Sequence, residues 1–219
     1  MGSQLLDLTI ARARELGSKT ILIYANERNS ASNLFLNHHG FASVGSSGTM
    51  KASDAVPTPF ELPSGFTLRK YSDVNEPGIL LTALDECYLD MWGHQHSEER
   101  SEEELRSPRF LKYYQTEDIL LLFDPQNVVS GICSLKSEGK RDENGNKVDL
   151  LDAPGVIKKY RQQGYQRQLV LAGIERLRKK EAHPIILEFW GESEQGLNIY
   201  RSLGFEMLNH YITYHKELE

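Results

Sequence analysis

Long apolar runs are missing from this chain of 219 residues. No stretch reaches the roughly 18–20 consecutive apolar residues that a membrane-spanning helix needs. The opening residues 1–16 carry Asp7, Arg12, Arg14 and Glu15, which is not the pattern of a signal peptide. Cysteine is scarce: only Cys87 and Cys133 are present. Two thiols in so long a chain read as reduced, buried residues of a cytoplasmic protein rather than a disulfide framework. A positive surplus is also lacking. Twenty-five Lys and Arg face 31 Asp and Glu, for a net charge of −6, whereas nucleic-acid affinity comes from neutralising phosphates. Neither a nucleic-acid nor a membrane partner is expected, although a local basic patch can still hold an anionic cofactor. His94-x-His96 has no nearby cysteine or clear third ligand, so no metal is expected.

What is present is enough for a globular core. Hydrophobic residues make up 39% of the chain, and its length suits one large domain, or one domain and a fragment of a second. Residues 3–16 have helical periodicity and end at Gly17; 21–25 read as a strand, 30–39 as a helix stopped by Gly40, and 41–44 as the start of another strand. Residues 45–65 are rich in Gly, Ser and Pro without periodicity and read as a linker. Strands are then expected at 66–71, 119–123, 128–135, 148–157, 185–190 and 205–216, and helices at 77–92, 98–106, 166–180 and 195–203. Between 136 and 147 a charged hairpin loop with the turn pair Asn144-Gly145 is expected. The acidic stretch 98–104 reads as a solvated helix face, and His38-His39 as the C-terminal end of a helix.

A repeat lies inside the chain. Shifted by 164 positions, residues 2–44 fall on 166–208 without a gap, with eight identities that include Arg12/Arg176, Ile21/Ile185 and Gly40-Phe41/Gly204-Phe205. The expected order of elements is the same in both copies. The first copy lacks the hundred or so residues that precede the second. Residues 1–45 therefore read as the C-terminal half of a first module, 46–65 as a linker and 66–219 as a complete second module. Such a half-module must cover its exposed strands against the second module or another chain, so a homodimer is one possible outcome. The expectation is that the chain is the C-terminal portion of a longer two-module protein.

The stretch that carries chemistry is 152–169, DAPGVIKKYRQQGYQRQL. A strand, a basic glycine-containing turn and a helix follow one another. Such a turn presents free backbone N–H groups at the positive end of a helix, which suits a pyrophosphate. Gly164 allows close backbone approach, Arg161 offers a two-pronged contact to phosphate, and Lys158 and Lys159 add local positive charge. Pro154 and Gly155 interrupt the strand, because proline removes a ladder donor.

Val156, Tyr160-Arg161, Gly164 and Gln166 together resemble motif A of the GNAT (GCN5-related) N-acetyltransferases, and Tyr200 with Gly204-Phe205 resembles that family's Tyr-x-x-x-Gly-Phe motif. The resemblance covers 66–219 as a whole module and 2–44 as a partial one, an arrangement similar to the tandem GNAT group that includes mycothiol synthase. It implies a mixed α/β fold with a splayed central sheet flanked by helices, and direct transfer of an acetyl group from acetyl-CoA to a primary amine of a small-molecule acceptor. Backbone groups of Val156, Ile157 and Lys158 would hold the pantetheine arm, and Arg161, Gln162, Gln163, Gly164, Tyr165 and Gln166 the pyrophosphate. Tyr200 would protonate the departing thiolate. Asp152 would be the base, with Glu188 as its rival. Ser193 stands where the family often has an asparagine, and Gln166 replaces a small residue. Trp92 and His94 follow the first long helix, where an acceptor wall is expected. Cys87 lies on an apolar helix face and is not read as a nucleophile. In the first copy the position of Tyr200 is Leu36, so that half is read as non-catalytic. Acetylation of a cysteinyl conjugate and a non-catalytic acyl-CoA sensor remain the alternative readings.

Overall fold

The computed structural model describes residues 2–53, 59–89, 101–141, 145, 147–182 and 184–218. Helix α1 (Gly2–Glu15), strand β1 (Thr20–Asn26), helix α2 (Ser30–His38) and strand β2 (Ala42–Ala52) open the chain. Then come β3 (Thr67–Lys70), α3 (Tyr71–Val74), α4 (Pro77–Tyr88), α5 (Glu102–Leu105), α6 (Pro108–Tyr113), β4 (Ile119–Phe123) and β5 (Val129–Arg141). Strands β6 (Lys147–Asp152) and β7 (Gly155–Val156), helix α7 (Tyr165–Lys179), strand β8 (Ile186–Glu192), helix α8 (Glu194–Ser202) and strand β9 (Phe205–Glu217) complete it.

The strands form one mixed sheet in the order β1-β9-β2-β8-β6-β5-β4-β3, with β7 paired to β5. The pairing of β6 with β8 is parallel and that of the other neighbours antiparallel. Alternation along β4 shows how the faces are covered. Leu120 and Leu122 enter a core with Leu169, Ile174 and Tyr200 of α7 and α8, whereas Ile119, Leu121 and Phe123 enter a second core with Leu80, Ala83 and Cys87 of α4. A third cluster, built on Leu6, Ala25, Leu36, Phe41 and Tyr214, packs α1 and α2 on the β1–β9 end.

Residues 46–52, read from sequence as linker, are strand. β2 lies between β9 and β8 and is bonded to both. Its Gly and Ser content answers to close packing: a Cβ on Gly48 would stand 2.1 Å from the backbone oxygen of Asn209. Small residues that look like a flexible link are here what lets adjacent backbones meet.

The repeat reappears as a pairing rule. Ile23 opposite Tyr214 becomes, at the same 164-residue offset, Leu187 opposite Met50, and every pair of the β1–β9 ladder from Leu22 to Asn26 has its counterpart between β8 and β2. The β2–β9 ladder is its own image about the pair Ser47 and Tyr211, and even its irregularities correspond: Val44 is the extra residue on one side and Leu208 on the other. Helix α2 maps onto α8 residue for residue. The two halves are thus related by a pseudo-twofold axis through Ser47 and Tyr211, and each places a strand inside the other's pairing. This is how the strands of 20–52 are covered: against β8 and β9 of the same chain.

Other expectations shift at their ends. The strand expected at 148–157 is two strands, because β6 ends at Asp152 and β7 leaves for β5 after Ala153-Pro154. β5 runs on to Arg141, into residues read as hairpin loop. Among the described residues, α4 is helical over Pro77–Tyr88 with Leu89 as its C-cap, and the acidic stretch is helical over Glu102–Leu105. Both cysteines are free and buried. Among the described residues, no helix is long and apolar enough to cross a membrane, and no group of His, Cys, Asp or Glu is placed to hold a metal ion.

Candidate active site

Strands β6 and β8 run side by side through Leu150–Ile186, Leu151–Leu187 and Asp152–Glu188, and a last bond runs from the Ala153 N–H to the Glu188 oxygen at 2.8 Å. There they part. Gly155 and Val156 pair with Ile132 and Gly131, and the Ile157 N–H bonds Ser130 O at 3.0 Å, while β8 continues beside β2 as far as Glu192 opposite Ser46. Pro154 has no N–H to continue the ladder. The result is a wedge that opens between β7 and the outer half of β8.

At the mouth of the wedge lies the turn 158–164. Gln162 and Gly164 both have positive φ, 62° and 87°. Such residues turn successive N–H groups into one concavity, and the first turn of α7 adds N–H groups with no intrahelical acceptor. The position a Cβ would take on Gly164 is open space, with nothing within 4 Å. Lys158 and Lys159 sit on the preceding single turn. The turn is anchored: the Tyr160 hydroxyl donates to Asp124 Oδ2 at 2.9 Å, and the Tyr160, Tyr165 and Phe66 rings pack edge to face or tilted. Arg161 is part of that anchoring. Its Nε donates to Val156 O at 2.9 Å and a terminal nitrogen to Cys87 O at 3.4 Å. The guanidinium therefore bonds backbone carbonyls of β7 and α4. Gln163 is likewise turned back, donating to Lys159 O.

Tyr200, on α8, has no exposed surface. Its hydroxyl donates to Glu192 Oε2 at 2.7 Å and accepts from Gln166 Nε2 at 3.0 Å. Three elements meet in this trio: the end of β8, the first turn of α7 and the middle of α8. Burial raises the Glu192 carboxyl above its ordinary value, an effect opposed by the Tyr200 hydrogen bond, and burial together with the Glu192 charge lifts the Tyr200 phenol well above its own. Ser193 caps α8, its hydroxyl accepting from the Gly196 N–H at 3.2 Å. Sequence reading passed over Glu192. The available signal was a carboxylate directly before a helix-capping serine and two turns ahead of Tyr200.

On the other face of the sheet, Asp152 and Glu188 are direct neighbours in a parallel pair, so their side chains point the same way. Glu188 is ion-paired to Lys136 at 3.0 Å. Both carboxylates line a cavity of about 880 Å³ between the sheet and helices α4 to α6. On the helical side it is lined by Leu80, Leu84, Tyr88 and Phe110 together with Glu104, and its floor continues over Thr49 and Asn209, which bond each other at 3.2 Å. The Tyr88 hydroxyl donates to Ala153 O at the vertex of the wedge. Trp92 and His94 lie outside the described residues. Burial pushes the Cys87 thiol up to about 12, so it stays protonated.

The chain matches no protein-family model and no curated protein. Solved structures do match. A GCN5-related N-acetyltransferase from Sphaerobacter thermophilus superposes with a TM-score of 0.74 at 18% identity, covering 100% of this chain and 68% of its own. The fold is that of the GNAT acyltransferases. A tandem GNAT protein from the clavulanic acid biosynthesis pathway gives a TM-score of 0.58 at 14% identity over 100% of this chain and 70% of its own. The NatC complex bound to Gag peptide and CoA gives 0.51 at 20% identity, over 70% of this chain and 99% of its own. The splayed sheet with flanking helices that the GNAT fold implies is what the wedge at Ala153 displays.

Proposed function

We propose that the chain is an acyl-CoA-dependent N-acyltransferase that moves an acetyl group from acetyl-CoA to a primary amine. The observation that carries this reading is the wedge at Ala153. It stands between the glycine-containing turn at the head of α7 and a cavity on the opposite face that holds two adjacent carboxylates. A residue pattern of this kind fits acetyl-CoA: the concave N–H array of 162–166 suits the pyrophosphate, Lys158 and Lys159 lie beside it, and the side of outer β8 turned away from β2 offers backbone groups to a pantetheine arm. Acetyl-CoA supplies the activated acyl carbon; the chain supplies position and proton transfer. Asp152 or Glu188 takes a proton from the incoming ammonium. Tyr200 delivers a proton to the thiolate that leaves, and Glu192 sets its orientation. The NatC complex, a chain of which shares this fold, is bound to CoA.

The half formed by residues 2–52 contributes strands rather than chemistry, since Leu36 occupies the position related to Tyr200. This supports a tandem arrangement in which 66–219 carries the reaction, in an ordinary aqueous compartment such as the cytoplasm. A second reading, an acyl-CoA sensor, is favoured by one observation. Tyr200 is fully buried and its hydroxyl is bonded by both Glu192 and Gln166, so in this state nothing reaches it. Release of free coenzyme A thiol on mixing the protein, acetyl-CoA and an amine panel separates the two. Amine-dependent release supports transfer; saturable acetyl-CoA binding without release supports the sensor.

A further inference from the structure

The far end of the cavity is built by the half that has no catalytic residues. On the face away from α1 and α2, β1 carries Tyr24 and β2 carries Ser47 and Thr49, and these line the same cavity as Asp152 together with Gly48. The ladder register adds a specific arrangement. Ser47 lies opposite Trp190 on one side and opposite Tyr211 on the other. Two aromatic residues thus flank one small residue, with their Cα atoms about 10 Å apart across the three strands. A flat ring stacked between two others needs its centroid about 4.5–7 Å from each, and the spacing over Ser47 provides that. Tyr24, Trp190 and Tyr211 keep 50%, 42% and 38% of their surface exposed, so they are not spent on the core.

Charge divides the cavity in two. Among the described residues its carboxylates are Asp152, Glu188 and, from α5, Glu104, and those lining it around Ser47 are uncharged. A polyamine would find no second carboxylate site along the floor near Ser47. From strand rise and spacing, Ser47 lies about 8 Å from Glu188 and about 12 Å from Asp152. We propose that the acceptor is a monoamine whose uncharged body ends in an aromatic ring: the ring is clamped between Trp190 and Tyr211 over Ser47, and the ammonium reaches Asp152 and Glu188. This rests on the acyltransferase reading for the identity of the reacting end. The clamp itself does not depend on turnover.

The test is calorimetric binding of phenylbutylamine, benzylamine, n-hexylamine and spermidine to the whole protein, followed by acetyl-CoA turnover with the same four. We expect phenylbutylamine to bind about tenfold tighter than n-hexylamine, with benzylamine weaker because it cannot span ring site and carboxylates together. Tyr211→Ala should bring phenylbutylamine to within about twofold of n-hexylamine, whereas Tyr211→Phe should preserve the preference. Equal binding of phenylbutylamine and n-hexylamine by the wild type overturns the proposal without any variant, as does tightest binding of spermidine. A ring preference without turnover of any amine leaves the clamp standing and removes the acyltransferase reading. Turnover of all four amines with equal KM does the reverse.

Discussion

The hydroxyl of Tyr200 is engaged with Glu192, and the two residues have to be considered together. Burial raises the Glu192 carboxyl, and the Tyr200 hydrogen bond is the leading influence that holds it down. A carboxyl raised in the folded state contributes stability that is fully present below its ordinary value of 4.5 and is lost as pH rises through the folded-state pKa. Tyr200→Phe removes the hydroxyl, so an isotope-edited infrared titration should show Glu192 titrating higher still; an unmoved titration would mean that the hydroxyl does not support the carboxylate. The same substitution should lower kcat by about 10²-fold or more, the scale of a general acid, with the KM for acetyl-CoA within about twofold. Undiminished kcat would remove Tyr200 from the reaction. For the base, Asp152→Asn should depress kcat/KM most at low pH, where the acceptor ammonium most needs deprotonation. If Glu188→Gln shows that profile and Asp152→Asn does not, the role belongs to Glu188, with Lys136 as its control.

Among the elements, β2 explains most of the difference between sequence and structure. Periodicity marked α7, α8, β4 and β9 well, because each has a continuous apolar face against one core. β2 brings only Met50 and Ala52 into that core; GSSGT before them is small throughout, and small residues between two neighbouring strands resemble a linker in composition. Helix α6 was missed even though Ser107-Pro108 is a cap followed by a proline at the first helical position. The wedge was partly legible, since Pro154 announces a broken ladder, but where β7 goes after the break depends on Gly131 and Ile132, residues distant in sequence. The glycine-containing turn before α7 was legible as a turn, whereas the placement of Arg161 on Val156 O and Cys87 O was not, because carbonyl partners leave no trace in residue type. Arg161→Ala is therefore expected to cost about 1.5–3 kcal/mol of stability through these charged hydrogen bonds, besides weakening acetyl-CoA binding through a looser turn. Gly48→Ala places a Cβ 2.1 Å from Asn209 O. Overpacking against backbone should cost about 1–3 kcal/mol or more, seen as a lower Tm; an unchanged melt would show that β2 can withdraw from β9.

At the scale of the molecule, the interleaved order β1-β9-β2-β8 makes the two halves one sheet. β2 cannot leave without exposing edges of both β8 and β9. Hydrogen exchange should then protect the amides of β2 to the level of β8, in a single cooperative unit; faster exchange confined to 42–52 would mean that the N-terminal half opens alone. The same arrangement gives the N-terminal half, through Tyr24, Ser47 and Thr49, a place in the cavity that also holds Asp152. The most direct test of the central claim is mass spectrometry of the products after incubating the protein with acetyl-CoA and a panel of primary amines. We expect an amine bearing one added acetyl group, formed together with free coenzyme A and strongly reduced in Tyr200→Phe. Acetyl-CoA bound at one site per chain, with every amine recovered unmodified, would contradict it.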